Sequence, residues 1–174
     1  MNTQELNKLA KRVHALNKSW WIDIETGKPI KRNNRELLML VITELSEAVE
    51  GIRKNLMDDK LPHRKMEEVE MADAAIRLLD FSGGFKIELS SVEGKRAILS
   101  EALKELGENK AEQILSIVAS VIAFSPSIAL AEIEEYCKMH GLDLWGAVEE
   151  KLAYNAKRAD HKHENRRKAG GKKF

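Results

Sequence analysis

Two acid pairs at helical spacing, Glu44-x-x-Glu47 and Glu70-x-x-Asp73, separated by 22 residues, carry the clearest chemistry in this chain. A three-residue step along an α-helix turns a side chain by about 300°, so both members of each pair project to nearly the same side. Two such pairs on neighbouring helices bring four carboxylates together. Oxygen donors of this kind suit Mg²⁺ or Mn²⁺ rather than zinc, and Mg²⁺ takes part of its shell from water and substrate phosphates. Carboxylates so crowded repel one another and do not all ionise cheaply without a cation or a basic ligand. A carboxylate-bridged di-iron bundle is the nearest rival, but it needs Glu-x-x-His pairs on two helices. None occurs among His14, His63, His140, His161 and His163, and no two of these frame a zinc-protease helix motif.

The segments that hold the acids have the right periodicity. From Asn34 to Arg53, Leu38, Val41, Ile42, Leu45, Ala48, Val49 and Ile52 recur at the helical period. Glu44 falls on the margin of that stripe and Glu47 roughly 60° beyond it, whereas Glu50 lies on the opposite side. From Met66 to Phe81, past the acids Glu67 and Glu68 at its start, the charged residues Glu70, Asp73, Arg77 and Asp80 occupy an arc of roughly 80°. The rest of that helix is apolar nearly all round, which predicts a central helix with a narrow acidic seam. In a chain that is 33% Asp, Glu, Lys and Arg, one such pair alone is an ordinary solvated face. One pair edging a core stripe and the other confined to a seam favour the metal reading.

A third constellation lies in the segment from Leu144 to Asp160, where Trp145, Val148, Leu152, Ala156 and Ala159 form an apolar stripe. Lys151, Asn155 and Arg158 line one edge of it within about 60°. A lysine, an amide and a guanidinium in one row suit a polyphosphate, although for this segment alone snorkelling from a helix rim is the default. Trp20 and Trp21 sit in the loop before the first acid helix. Adjacent tryptophans are more often core or subunit contacts, but an indole beside a phosphate site is a surface on which a nucleobase can stack.

The remaining periods give an all-α chain. Leu6, Leu9, Val13 and Leu16 mark a first helix, and Asn33 is an N-cap with Glu36 in capping-box position. Gly83-Gly84 ends the second acid helix, and the short connector Met57–His63 makes the two acid helices antiparallel neighbours. Further helices run over roughly 92–106, 108–124 and 127–140, broken at Gly107, at Ser125-Pro126-Ser127 and at Gly141. At 174 residues the chain is one domain by length, and its net charge of +1 makes no strong statement about a polyanionic partner, although residues 157–174 are basic. A single cysteine, Cys137, excludes an intramolecular disulfide and suits a reducing cytoplasm; it reads as a packed thiol. The N-terminus lacks the apolar run of a secretion signal, and the most apolar stretch, Ile114 to Phe124, is too short to span a bilayer.

Taken in order, these elements resemble the MazG-like, all-α nucleoside triphosphate pyrophosphohydrolases. The resemblance is carried by Glu44-Leu-Ser-Glu-Ala48, by Glu70-x-x-Asp73 within Ala72-Asp-Ala-Ala-Ile-Arg-Leu-Leu-Asp80, by Lys151-Leu-Ala-Tyr-Asn-Ala-Lys-Arg158 as the K-x-x-x-N-x-x-R element, and by the basic end Gly170-Gly-Lys-Lys173. It covers residues 1–84 and 142–160 as a core with a tail at 161–174, and it makes 85–141 a helical insertion into a single domain. Many relatives place an extra acid before the first ligand, where this chain has Thr43; Glu44, Glu47 or Asp80 is then the candidate general base.

The resemblance implies hydrolysis of (deoxy)nucleoside triphosphates to monophosphate and pyrophosphate, in nucleotide-pool control or house-cleaning. Mg²⁺, with Mn²⁺ as a substitute, would be held by Glu44, Glu47, Glu70 and Asp73 and would activate a water for attack at the α-phosphorus. Lys151, Asn155 and Arg158 would offset charge on the leaving pyrophosphate, and Trp20 or Trp21 would contact the base. A homo-oligomer, dimer or tetramer, is implied as well, in the cytoplasm and away from membranes. Two other classes stay open: a helical nucleic-acid-binding module using the basic tail, which has no need of an acidic seam, and a non-catalytic helical interaction protein.

Overall fold

A computed structural model describes residues 1–158 and Asn165. Among these residues the chain is all-α, with seven α-helices and two short 3₁₀ turns. The helices are α1 (Thr3–Leu16), α2 (Asn34–Lys54), α3 (Met66–Phe85), α4 (Arg96–Glu105), α5 (Lys110–Ile122), α6 (Pro126–Met139) and α7 (Leu144–Asn155). The basic end from residue 161 onward lies outside the described residues, Asn165 excepted.

Local chemistry sets most of the boundaries. Asn2 caps α1 in a reciprocal capping box with Glu5, and Asn109 and Asp143 cap α5 and α7 with their side chains. Asn33 caps α2 by accepting from the backbone N–H groups of Arg35 and Glu36. The carboxylate of Glu36 does not close the expected box; it meets the guanidinium of Arg32, 3.3 Å away.

Helix α3 is the axis of the bundle. Met71, Ala72, Ala74, Ala75, Leu78 and Leu79 have no exposed surface, and α1, α2, α6 and α7 pack around them. Each fully buried leucine of this set contributes about 1.5–3 kcal/mol relative to leaving it in water. Small residues let the neighbours come close: a Cβ on Gly51 of α2 would meet Met66 at 2.9 Å. Because Gly51 meets the start of α3 while Glu44 meets Arg77 further along it, α2 and α3 run antiparallel.

The second acid helix does not stop at Gly83-Gly84. It continues to Phe85, and Lys86 takes the left-handed conformation at φ 56°. Both glycines are packing positions instead. Gly83 lies against the backbone of Ala10 and the side chain of His14, and Gly84 lies under the indole of Trp21.

Helices α4–α6 share the same buried core as the rest, with Leu103, Ile117 and Ile133 fully or almost fully enclosed. A polar knot ties α5 and α6 to α3. The Glu67 carboxylate accepts from the Tyr136 hydroxyl at 2.7 Å and from the Lys110 ammonium at 2.8 and 2.9 Å. Cys137 is buried, and burial pushes its thiol well above the usual range, as befits a packing residue. No helix among the described residues is long and apolar enough to cross a membrane.

The close approach at Gly84 gives a test of the packing. Gly84→Ala should cost about 1–3 kcal/mol in urea denaturation because the new methyl collides with Trp21. Gly94→Ala, where an added Cβ meets nothing, should leave the midpoint unchanged.

Candidate active site

The acidic seam of α3 and the margin of α2 form one wall of a cleft of about 410 Å³. Glu44, Glu47, Glu70 and Asp73 all line it, and so do Lys151, Asn155 and Arg158 from the end of α7 and beyond. Trp20 lines it as well, and also a neighbouring recess of about 170 Å³ that shares Asn17, Asn155 and Arg158 with the main cleft.

Three of the four expected ligands converge. Carboxylate oxygens of Glu44, Glu47 and Glu70 lie within 4.8 Å of one another, with Glu44 and Glu70 buried and Glu47 exposed. Asp73 lines the same cleft but stands outside that group, its carboxylate 2.8 Å from the ammonium of Lys151. Glu44 is paired with the guanidinium of Arg77. Two side chains with a positive charge thus already lean on the acids.

The electrostatics reflect the crowding. Burial, then the neighbouring Asp73 and Glu44, push the Glu70 carboxyl up to about 9. Burial raises Asp73 to about 6, with Lys151 pulling against it. For Lys151 itself, burial works against the charge and Asp73 outweighs it, so its ammonium is held above the usual lysine range. The donor set fits a hard divalent cation: three carboxylate oxygens already meet, and at Glu70 burial and the neighbouring acids oppose a further negative charge. A second fit comes from α7, where Asn155 Oδ1 is buried with no hydrogen-bond partner among the described residues.

The other sequence-derived candidates divide. Trp20 is in the wall of the cleft. Trp21 is not; its indole N–H donates to Asp80 at 3.1 and 3.2 Å, and its ring packs edge-on against His14 and Phe85. Asp80 lines the cleft, but His14 Nδ1 stands 2.9 Å from the same oxygen. Burial raises the Asp80 carboxyl, and the hydrogen bonds from His14 and Trp21 oppose that rise. Its lone pairs are engaged in holding α1 and the Trp21 turn on α3. Thr43 turns its hydroxyl back to the carbonyl of Met39 at 3.1 Å and offers no base.

Sequence reasoning missed several cleft residues. Arg32 is almost wholly buried and donates to the Trp20 carbonyl at 2.7 Å, fixing the backbone that carries the indole. Asp59 and Lys60 reach the cleft from the α2–α3 connector, where buried Asp58 accepts from the backbone N–H groups of Lys60 and Leu61 at 2.9 and 2.6 Å. Connector residues have no period, so only the Asp-Asp turn chemistry could have marked them. Arg77 was visible, four residues after Asp73 on the seam, but its partner on α2 was not.

Comparison of the chain with protein-family models, with curated proteins and with solved structures finds no match.

The raised carboxyls make stability depend on pH. Glu70 rises from 4.5 to about 9 and Asp73 from 3.8 to about 6 on folding, so the folded chain holds protons that the unfolded chain has released. Without a divalent cation, stability should therefore fall as pH rises across this window, by at most ~1.4 kcal/mol per pH unit for each titrating group. Thermal denaturation in EDTA should show Tm dropping from about pH 6 to about pH 9, and Glu70→Gln should flatten the drop. A Tm independent of pH in both proteins would contradict this picture of the cleft.

Proposed function

We propose that the chain is a Mg²⁺-dependent nucleoside triphosphate pyrophosphohydrolase of the MazG-like kind. It would convert (deoxy)nucleoside triphosphates to monophosphates and pyrophosphate. The observation that supports this reading best is the presence of two opposite chemistries in one cleft. Glu44, Glu47 and Glu70 converge there, and Lys151, Asn155 and Arg158 line the same space, in a volume suited to a small ligand.

Glu44, Glu47, Glu70 and, once released from Lys151, Asp73 are the residues that would hold the cation. When bound, it supplies charge to the triphosphate oxygens and acidity to the attacking water. The protein does the rest. Lys151 brings a point charge and Arg158 a forked donor to the phosphates, offsetting negative charge that builds on the leaving pyrophosphate. Asn155 adds its amide, whose unpaired oxygen accepts from a ligand hydroxyl or an ordered water. Trp20, braced by Arg32 through its carbonyl, offers a flat surface to a nucleobase. Glu47, the exposed member of the acid group, takes the proton from the attacking water; Asp80 is engaged by His14 and Trp21 and Thr43 is no base.

This reading makes a direct demand on the acids. With Mg²⁺ and a panel of nucleoside triphosphates, Glu47→Gln and Asp73→Asn should each lower turnover at least ~100-fold while the helical circular dichroism stays intact. EDTA should abolish turnover of the unmodified chain and Mg²⁺ should restore it. A double variant that remains active would refute the assignment of these residues.

A further inference from the structure

The pairing of Arg77 with Glu44 ties α3 to α2 beside the acid group. Arg77 lies one helical turn after Asp73 on α3, lines the cleft, and directs both Nε and Nη2 to the same carboxylate oxygen of Glu44 on α2. That carboxylate also belongs to the converging group of Glu44, Glu47 and Glu70. The two sides of the pair are unequal. Glu44 is held in place with only 9% of its side chain exposed, whereas Arg77 is 38% exposed and has room to move. Lys151, the other cation on the acids, is different: its side chain is 5% exposed and fixed against Asp73 at 2.8 Å.

A guanidinium and a divalent cation on one carboxylate repel each other across a few ångströms of poorly screened space, so they compete for it. The guanidinium displaced in this way has a long, partly solvated stem and a planar fork that matches phosphate oxygens better than any other cationic side chain.

We propose that Arg77 is a placeholder for the divalent cation: it neutralises Glu44 in the cation-free protein and moves to the phosphates of the substrate when the cation takes that carboxylate. The proposal rests on the reading that the acid group holds a divalent ion. It adds a positioning and phosphate-binding residue on α3 to those of α7. It also accounts for how a buried acid group stays folded before a cation arrives, since the stand-in charge comes from the same helix as Glu70 and Asp73. No bond is made or broken in the exchange; one ion pair is replaced by another.

The test needs two binding measurements that do not depend on turnover. Mn²⁺ alone, followed by its electron paramagnetic resonance, should bind the unmodified chain, and Arg77→Gln should bind it roughly 3- to 10-fold more tightly because the competitor is gone. At saturating Mn²⁺, inorganic triphosphate followed by calorimetry should bind Arg77→Gln roughly 10-fold more weakly. Arg77→Lys, which keeps a charge but loses the fork, should show both changes at smaller size and carries the test if Arg77→Gln does not fold. Mn²⁺ affinity that is unchanged or weaker in folded variants would show Arg77 to be a helix tie only and overturn the proposal. A triphosphate affinity that is unchanged would overturn it too. Absence of Mn²⁺ binding to the unmodified chain would overturn the metal reading itself, and this proposal with it.

Discussion

The constraint on which the rest of the structure depends is the crowding of carboxylates at a seam that is only partly open to water. Glu44, Glu47 and Glu70 bring oxygens within 4.8 Å of one another at the seam between α2 and α3. At an effective dielectric constant of about 20, two like charges at such a distance repel by ~3–4 kcal/mol, a large part of the ~5–15 kcal/mol that holds a domain folded. The protein answers in three ways. It keeps Glu70 protonated, with its carboxyl raised to about 9. It sets Lys151 against Asp73 and Arg77 against Glu44. It leaves the cluster open to a cleft.

Everything else serves to hold that seam. From Glu70 to Asp80, helix α3 presents its charged residues along one narrow line and apolar surface elsewhere, so α1, α2, α6 and α7 enclose it and leave the line facing the cleft. Asp80 takes His14 of α1 and the Trp21 indole. Trp21 in turn lies on Gly84, and Arg32 grips the carbonyl of Trp20. A chain of contacts thus runs from the far end of α3 to the indole of Trp20, which lines the cleft. At the near end, Glu67 is buried under Tyr136 and Lys110, so α5 and α6 brace the start of the helix that carries Glu70 and Asp73. A buried carboxylate held by three hydrogen bonds from two partners is costly to build and costly to break, which keeps this end of α3 in one register.

Much of this was legible in the residues. The seam of α3 and the stripe of α2 follow from the 3.6-residue period, and so does the pairing of Lys151 with Asn155 on α7; Arg158 lies past the end of that helix, yet lines the same cleft. What the period cannot carry is identity of partners between helices. Trp20 and Trp21 are equivalent as letters, yet one lines the cleft and the other is spent on Asp80 and Gly84. Gly83-Gly84 reads as a helix stop because glycine favours the left-handed end of a helix, but here the missing side chains admit α1 and an indole, and Lys86 makes the left-handed turn. Asp73 shares its face with Glu70, yet Lys151, reaching over from α7, turns its carboxylate out of the convergent group. Periodicity reports which face is buried; which atom meets which is decided by tertiary contacts.

The central claim is that this cleft directs water to the α-phosphorus of a nucleoside triphosphate. Hydrolysis in ¹⁸O-labelled water with Mg²⁺, followed by mass spectrometry of the products, tests it most directly. The account predicts monophosphate carrying one ¹⁸O and pyrophosphate carrying none. Label in pyrophosphate, or release of diphosphate with labelled phosphate, would place the attack at another phosphorus and contradict it.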